Sequence, residues 1–285
     1  MLKILACLIM LIDHAGAVFS ASIPIWSRYI GRIAFPLFVF FIAEGCARTR
    51  DIHRYLLRLG LFALISEIPF DAAIGAAQYG RPRFDFFDFT NVFYTLFLGV
   101  LAVCVYRGAA VSRRPLLSLL PLPFLLPLPF IHSRPLNIIV VSLYATAVYI
   151  WRRPGSGETE AAAAVGPAAR LSALAGVCPI IWLADILNTD YGSFGVIFIM
   201  VIAFARSREA KLALLCLFIF LEYGGPLLSP GRVNIAMLAA ALAAVPLAAL
   251  YNGRRGPGLK WGFYAFYPVH LAVLALLAAA FTFRP

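Results

Sequence analysis

The stretch LKILACLIMLIDHAGAVF (residues 2–19) decides the class of this chain. It opens on one lysine, runs on in apolar residues, and then sets an aspartate and a histidine side by side at Asp13 and His14. A secretory leader also begins with a charge and an apolar run, and Ala15–Ala17 resembles a cleavage site. That site would follow directly on the ionisable pair, so the stretch is read as a retained first helix. An Asp, Lys or Arg at the centre of a membrane helix costs at least about 2.5–3.5 kcal/mol on the lower scale, so such residues persist where they find partners.

The rest of the chain extends this reading. Of its 285 residues, 62% are hydrophobic and 13% charged. A soluble domain has about 45–50% and about 25%. Mean hydropathy is +0.89. Apolar runs recur at 4–22, 30–47, 54–72, 90–106, 115–131, 135–151, 170–187, 190–205, 210–223, 233–251 and 261–282. One helical span takes about 20 residues, so the expected fold is all-α, a polytopic membrane protein of about 10–11 transmembrane helices. It is expected to form a single integral membrane domain over residues 1–285. The run at 115–131 carries Pro115, Pro121, Pro123, Pro127 and Pro129, and is expected to be broken or re-entrant. Residues 152–169 (RRPGSGETEAAAAVGPAA) read as a flexible cytoplasmic linker. Residues 73–89 mix Arg81, Arg83, Asp85 and Asp88 with phenylalanines and read as an amphipathic flap at the outer interface. No internal repeat is evident, which weighs against an inverted-repeat transporter.

The net charge of +11 sits in short clusters between the apolar runs. With the N-terminus in the cytoplasm, Lys3, Arg48–Arg58, Arg107–Arg114, Arg152–Arg170, Arg206–Lys211 and Arg254–Lys260 fall inside. Arg28, Arg32, Arg81, Arg83, Arg134, Arg232 and Arg284 fall outside, so most of the 24 basic residues are cytoplasmic. The expected location is therefore the inner (plasma) membrane, multi-pass, N-terminus inside. No basic face interleaved with exposed aromatics is present, and no nucleic-acid partner is expected. Cys7, Cys46, Cys104, Cys178 and Cys216 form no CxxC pair and no zinc-like spacing, and read as small hydrophobes between helices. No Walker, GxGxxG or G-x-S-x-G motif appears, and no metal is expected.

Five ionisable positions within the spans stand out. His14 lies eleven residues past Lys3, about 16 Å along the helix. His270 lies ten residues past Lys260 on another helix that starts inside, so the two imidazoles are expected at one height in one cavity. An imidazole there suits general-base work on an amine or hydroxyl. Neighbours on a helix point about 100° apart, so Asp13 is expected to pair with an arginine or tyrosine on another helix rather than orient His14. Glu44 stands four residues from Arg48, within reach of a helical ion pair. Glu67 has no basic residue in its own span nearer than Arg58 and needs a partner elsewhere; Arg32 is a candidate for Asp13 or Glu67. Asp185 and Asp190 read as solvated residues near the outer surface. Gly31, Gly99, Gly192 and Gly195 suit close helix approach, and Trp26, Trp151, Trp182 and Trp261 suit interface anchoring.

Several blocks carry a family resemblance: LKILACLIMLIDHAGAVF, IGRIAFPLFVFFIAEGCARTR, YLLRLGLFALISEIPFD, NVFYTLFLGVL, DYGSFGVIFIM and GFYAFYPVHLAVLALL, in that order along the chain. Together they resemble the TraX family, with LIDH, GRIAFP, LISEIPFD and FYPVH the most distinctive pieces. The resemblance implies a membrane acetyltransferase similar to the transmembrane acyltransferases, with a membrane-embedded histidine and cytoplasmic acetyl-CoA as donor. The implied acceptor is an amine or hydroxyl on an envelope partner such as a pilin N-terminus or a glycan, met among membrane lipids. It implies His14, Asp13, Glu67 and His270 as the catalytic set. It implies Arg32, Glu44, Asn91, Thr95, Tyr267, Asp190 and Tyr191 as substrate-binding residues. Two other classes compete: a proton-coupled secondary transporter with Glu67, Asp13 and the histidines as relay, and a non-catalytic assembly scaffold.

Overall fold

The computed structural model describes residues 1–79, 89–111, 167–224, 235–253 and 260–282. The expected spans at 115–131 and 135–151, the linker to residue 166, and residues 80–88 of the flap lie outside these. The described chain is all-α: α1 (Leu2–Val18), α2 (Trp26–Gly31), α3 (Ala34–Arg48), α4 (Ile52–Tyr79), α5 (Val92–Val111), α6 (Pro167–Ile186), α7 (Gly192–Phe204), α8 (Arg208–Gly224), α9 (Ile235–Leu242), α10 (Ala244–Ala249) and α11 (Lys260–Thr282). Among the described residues no strand forms; Thr90 and Thr189 make one isolated parallel bridge.

The apolar runs and the helices coincide wherever both are described, with three differences that local chemistry explains. The run expected from residue 30 begins earlier, as the six-residue α2, breaks at Arg32–Ile33, and resumes as α3. Pro36 sits in the first turn of α3, where its missing N–H costs nothing. The run at 233–251 is likewise split into α9 and α10, with Pro246 in the first turn of α10. Third, residues 73–79 are not part of a flap. They continue α4 to Tyr79, because AAIGAA is rich in the strongest helix former. The start of α4 is capped by Asp51, whose Oδ1 accepts the Arg54 N–H at 2.9 Å, and that bond holds the Asp51 carboxyl below the usual carboxylate range.

Among the described residues, two stretches are long and apolar enough to cross a membrane, Trp26–Arg48 and Trp261–Ala280. Shorter apolar helices cover Val92–Gly108, Ala173–Ile186, Gly192–Phe204 and Ile235–Ala249.

The chain divides into two compact units, Met1–Arg48 with Leu61–Phe86 and Val201–Pro285, and Thr49–Gly60 with Phe87–Met200. In the first, α1 packs on α2, α3 and α11, while α8 packs on α9, α10 and α3. Leu37, Val39, Phe40 and Ala43 of α3 and Ala6 of α1 are buried there. In the second, α5 lies along α6, and Leu98, Val100, Ala102 and Val103 of the one and Ala173, Val177, Ile180 and Ala184 of the other are buried. Gly99 lets Ile199 of α7 sit against the α5 backbone, where a Cβ would collide with it.

The outward faces are also apolar. On α4 the exposed side chains include Leu61, Leu64, Ile65 and Ile68; on α11 they include Val269, Val273, Leu276 and Leu277. Both sets follow the three-and-four spacing of one helical stripe.

Candidate active site

The centre of the first unit is a pair of imidazoles. His14 Nδ1 lies 2.7 Å from His270 Nε2, and the two rings lie edge to edge and nearly coplanar, with centroids 5.0 Å apart and 9° between planes. The equal heights expected from Lys3 and Lys260 are thus met by direct contact, because α1 packs along α11. His270 is buried, and His14 is partly exposed. Tyr267, 1% exposed, turns its ring edge to both, at 5.7 Å from His14 and 5.6 Å from His270. Phe266 stacks on His270 at 4.9 Å.

The tautomers follow from one contact. His270 Nδ1 lies 2.7 Å from the Phe266 carbonyl oxygen, one helical turn back. A carbonyl oxygen only accepts, so Nδ1 carries a proton and donates. In the neutral ring Nε2 then holds a lone pair, and His14 Nδ1–H donates to it. His14 Nε2 is left as the free basic nitrogen. A backbone carbonyl thereby fixes, through two rings, which atom of His14 can take a proton.

Asp13 faces the other way, as its angular offset from His14 requires. Its Oδ1 accepts from Arg28 at 2.7 Å and from Arg32 at 3.3 Å. Arg32 Nε donates to the Arg28 carbonyl at 3.1 Å, which ties the two arginines together. The expected arginine partner on another helix is therefore present twice. Arg28 was not anticipated as a site residue: α2 is too short for periodicity to reveal it. The available signal was two arginines at i,i+4 opposite a lone carboxylate. Gly31 makes the contact physically accessible, since a Cβ there would occupy the position of the Asp13 carboxylate.

The remaining expected residues fall elsewhere. Glu44 is bound by Arg48 at 2.8 Å and by Lys211 of α8 at 2.5 Å, so its carboxylate belongs to an ion-pair cluster. The Arg48 half was legible from spacing; the Lys211 half was not. Glu67 is 1% exposed within α4, beside fully buried Ser66 and one turn before buried Asp71.

Asn91, Thr95, Asp190 and Tyr191 lie in the second unit and form a capping knot there. Asn91 Oδ1 accepts the Phe93 N–H at 3.0 Å and caps α5. The Thr95 hydroxyl donates to the Asp190 carbonyl. Asp190 N–H donates to the Thr90 carbonyl at 3.0 Å, and Thr90 N–H donates to Asn188 O at 3.2 Å. Tyr191 sits at φ 75°, a conformation uncommon for a bulky residue, immediately before Gly192 at φ 49°. Asp185 is more than a solvated end: its Oδ1 accepts the Ser193 N–H at 2.7 Å at the start of α7. Among the described residues no group of three or more His, Cys, Asp or Glu is arranged to hold a metal.

Comparison with known proteins gives these features a family context. No solved structure matches the chain. The "Probable fimbrial assembly protein FimC, serogroup H1" of Dichelobacter nodosus is 26% identical over 289 residues, covering 96% of this chain and 92% of that protein. The family model described as TraX protein matches residues 1–171 and 121–278. With those matches running from α1 through α11, the chain belongs to the TraX family.

Proposed function

We propose that this chain is a membrane-embedded acetyltransferase that moves an acetyl group from cytoplasmic acetyl-CoA to an amine of a fimbrial or pilin-type subunit. The observation that carries the reading is the 2.7 Å His14–His270 bond, anchored at Phe266, which leaves His14 Nε2 as a lone-pair nitrogen at a partly exposed position.

His14 Nε2 accepts the proton of the incoming amine as nitrogen attacks the thioester carbonyl. The C–N bond forms, the tetrahedral oxyanion collapses, and the C–S bond breaks. The proton on His14 passes to the leaving thiolate, so the imidazole returns to its starting state. While His14 is charged, His270 Nε2 takes the hydrogen bond from its Nδ1–H and steadies it.

The membrane setting is supported by the apolar outward stripes of α4 and α11 and by the two span-length stretches. A soluble surface rarely keeps such contiguous apolar faces. The fimbrial-assembly relative supports the choice of acceptor class. The test is purified protein in lipid nanodiscs, given labelled acetyl-CoA and a cell-envelope extract. A labelled envelope protein with the native chain, lost in a folded His14→Ala variant, is expected. No labelled product from the native chain removes the proposal.

A further inference from the structure

One end of the first unit is built as a continuous stack of cations and aromatic rings. Lys3 Nζ lies 5.9 Å over the Phe41 ring. Phe41 leans on Tyr251 at 5.6 Å, and the Arg48 guanidinium lies 5.7 Å over Tyr251. Arg48 and Lys211 then share the Glu44 carboxylate. Arg48 Nη1 also donates to the Gly253 carbonyl at 2.6 Å. At Gly253, φ is 69° and a Cβ would run into the guanidinium, so backbone and side chain are fitted to each other.

Arg48 is thus held on three sides, yet its side chain is 53% exposed. In this stack Glu44 binds Arg48 and Lys211 while Lys3 lies over Phe41, so three cations accompany one carboxylate and positive charge remains over. Surplus charge on a fixed guanidinium, with an aromatic platform beneath it, suits a phosphate ester. Height adds a second constraint. Lys3 and His14 are eleven residues apart on α1, about 16 Å. The arm of coenzyme A from its diphosphate to its sulfur has about thirteen bonds. At three bonds per extended residue that is about 14–16 Å, close to the same height.

We propose that the Lys3–Arg48–Lys211 stack seats the phosphate end of a phosphoester ligand, the nucleotide diphosphate of the acetyl donor, one arm-length below His14. This rests on the acetyl-transfer reading. An anionic lipid headgroup shares the same chemistry, and the experiment separates the two.

The probe is desulfo-coenzyme A, which binds without reacting, titrated into the full-length protein in nanodiscs of zwitterionic or anionic lipid. Binding in zwitterionic lipid is expected, weakened about tenfold by Lys3→Gln and by Arg48→Gln. Pantetheine, which lacks the phosphates, is expected to bind equally to native and variant chains. Arg48→Gln also loses the Gly253 bond, so Lys3→Gln, at the exposed start of α1, carries the test if the Arg48 variant fails to fold. Desulfo-coenzyme A affinity unchanged by Lys3→Gln, or charge-dependent binding to anionic lipid alone, overturns the proposal. If the probe binds as expected but no acetyl group reaches any acceptor, the transfer reading falls and this site stands. If acetyl transfer proceeds with a KM for acetyl-CoA indifferent to these charges, the site falls and the transfer reading stands.

Discussion

Arg28 holds Asp13 at two places: its Nη1 lies 2.7 Å from the carboxylate and 2.8 Å from the main-chain carbonyl of the same residue. A contact of that form fixes both the side chain and the local backbone of α1, one residue before the imidazole. The guanidinium therefore pins the turn of α1 from which His14 projects.

Removing the Asp13 charge leaves two partly buried guanidiniums facing each other. Asp13→Asn is expected to cost about 2–3 kcal/mol. That is below the 3–5 kcal/mol typical of breaking a fully buried pair, since these side chains keep 17–29% exposure. Arg28→Gln is expected to cost more than Arg32→Gln, whose contact is longer at 3.3 Å. Unfolding of the three variants in detergent, with the Asp13/Arg28 double variant closing a mutant cycle, measures the coupling. A coupling near zero would mean that the arginine does not hold the helix.

Gly31 provides a steric test of the same junction. A methyl group there would overlap the Asp13 side chain, and that side chain is pinned by two arginines and has nowhere to go. Gly31→Ala is expected to destabilise the protein by about 1–3 kcal/mol and to reduce the proposed acetyl transfer along with stability. Gly60→Ala is the comparison. Its new methyl meets only a Phe97 ring edge at 3.1 Å, which can yield, so the cost is expected to be smaller. Equal losses at the two positions would contradict this account.

The extent to which the chain could be read in advance follows from what each signal depends on. Apolar runs and their basic boundaries depend on composition over about 20 residues, so α1, α3, α5 and α11 were legible. The meeting of His14 and His270 was legible for the same reason: each is counted from a lysine at the start of its own helix. Arg28 was not, because the six residues of α2 hold less than two helical turns. Lys211 as partner of Glu44 required knowing that α8 packs on α3, which no local pattern encodes. Asn91, Thr95 and Asp190 were grouped by their family blocks as binding residues. Their observed bonds tie the start of α5 to a turn about a hundred residues later, and sequence spacing carries no trace of such a tie.

That knot yields a prediction that separates binding from folding. Asn91 Oδ1 is occupied as the cap of α5, so Asn91→Ala is expected to cost about 1 kcal/mol of stability while leaving the KM for acetyl-CoA, as the proposed donor, unchanged. Asn91→Asp and Asn91→Ser, which can cap equally well, are expected to restore it. Thermal unfolding beside steady-state kinetics reads both quantities. A raised KM at native stability would return Asn91 to the substrate site.

The imidazole pair gives the most discriminating experiment, because the proposed mechanism assigns its two members different roles. His14→Ala removes the basic nitrogen and is expected to lower the proposed acetyl transfer by about 10²–10⁴-fold. His270 holds His14 through its acceptor at Nε2, with its own donor at Nδ1 anchored on the Phe266 carbonyl. His270→Ala removes the acceptor and frees the tautomer of His14. His270→Gln extends an amide oxygen to about the place of Nε2 and can still accept the Nδ1–H of His14, although it cannot carry a proton. His270→Asn is too short to reach that place and keeps only the anchor side. If His270 acts by orienting its partner, activity is expected to fall in the order native, Gln, then Asn and Ala together, with folding unchanged. If His270 instead carries the proton onward, glutamine fails as completely as alanine. The ratio of the Gln to the Ala rate therefore reports which role the second imidazole plays, and equal rates would rule out the orienting role.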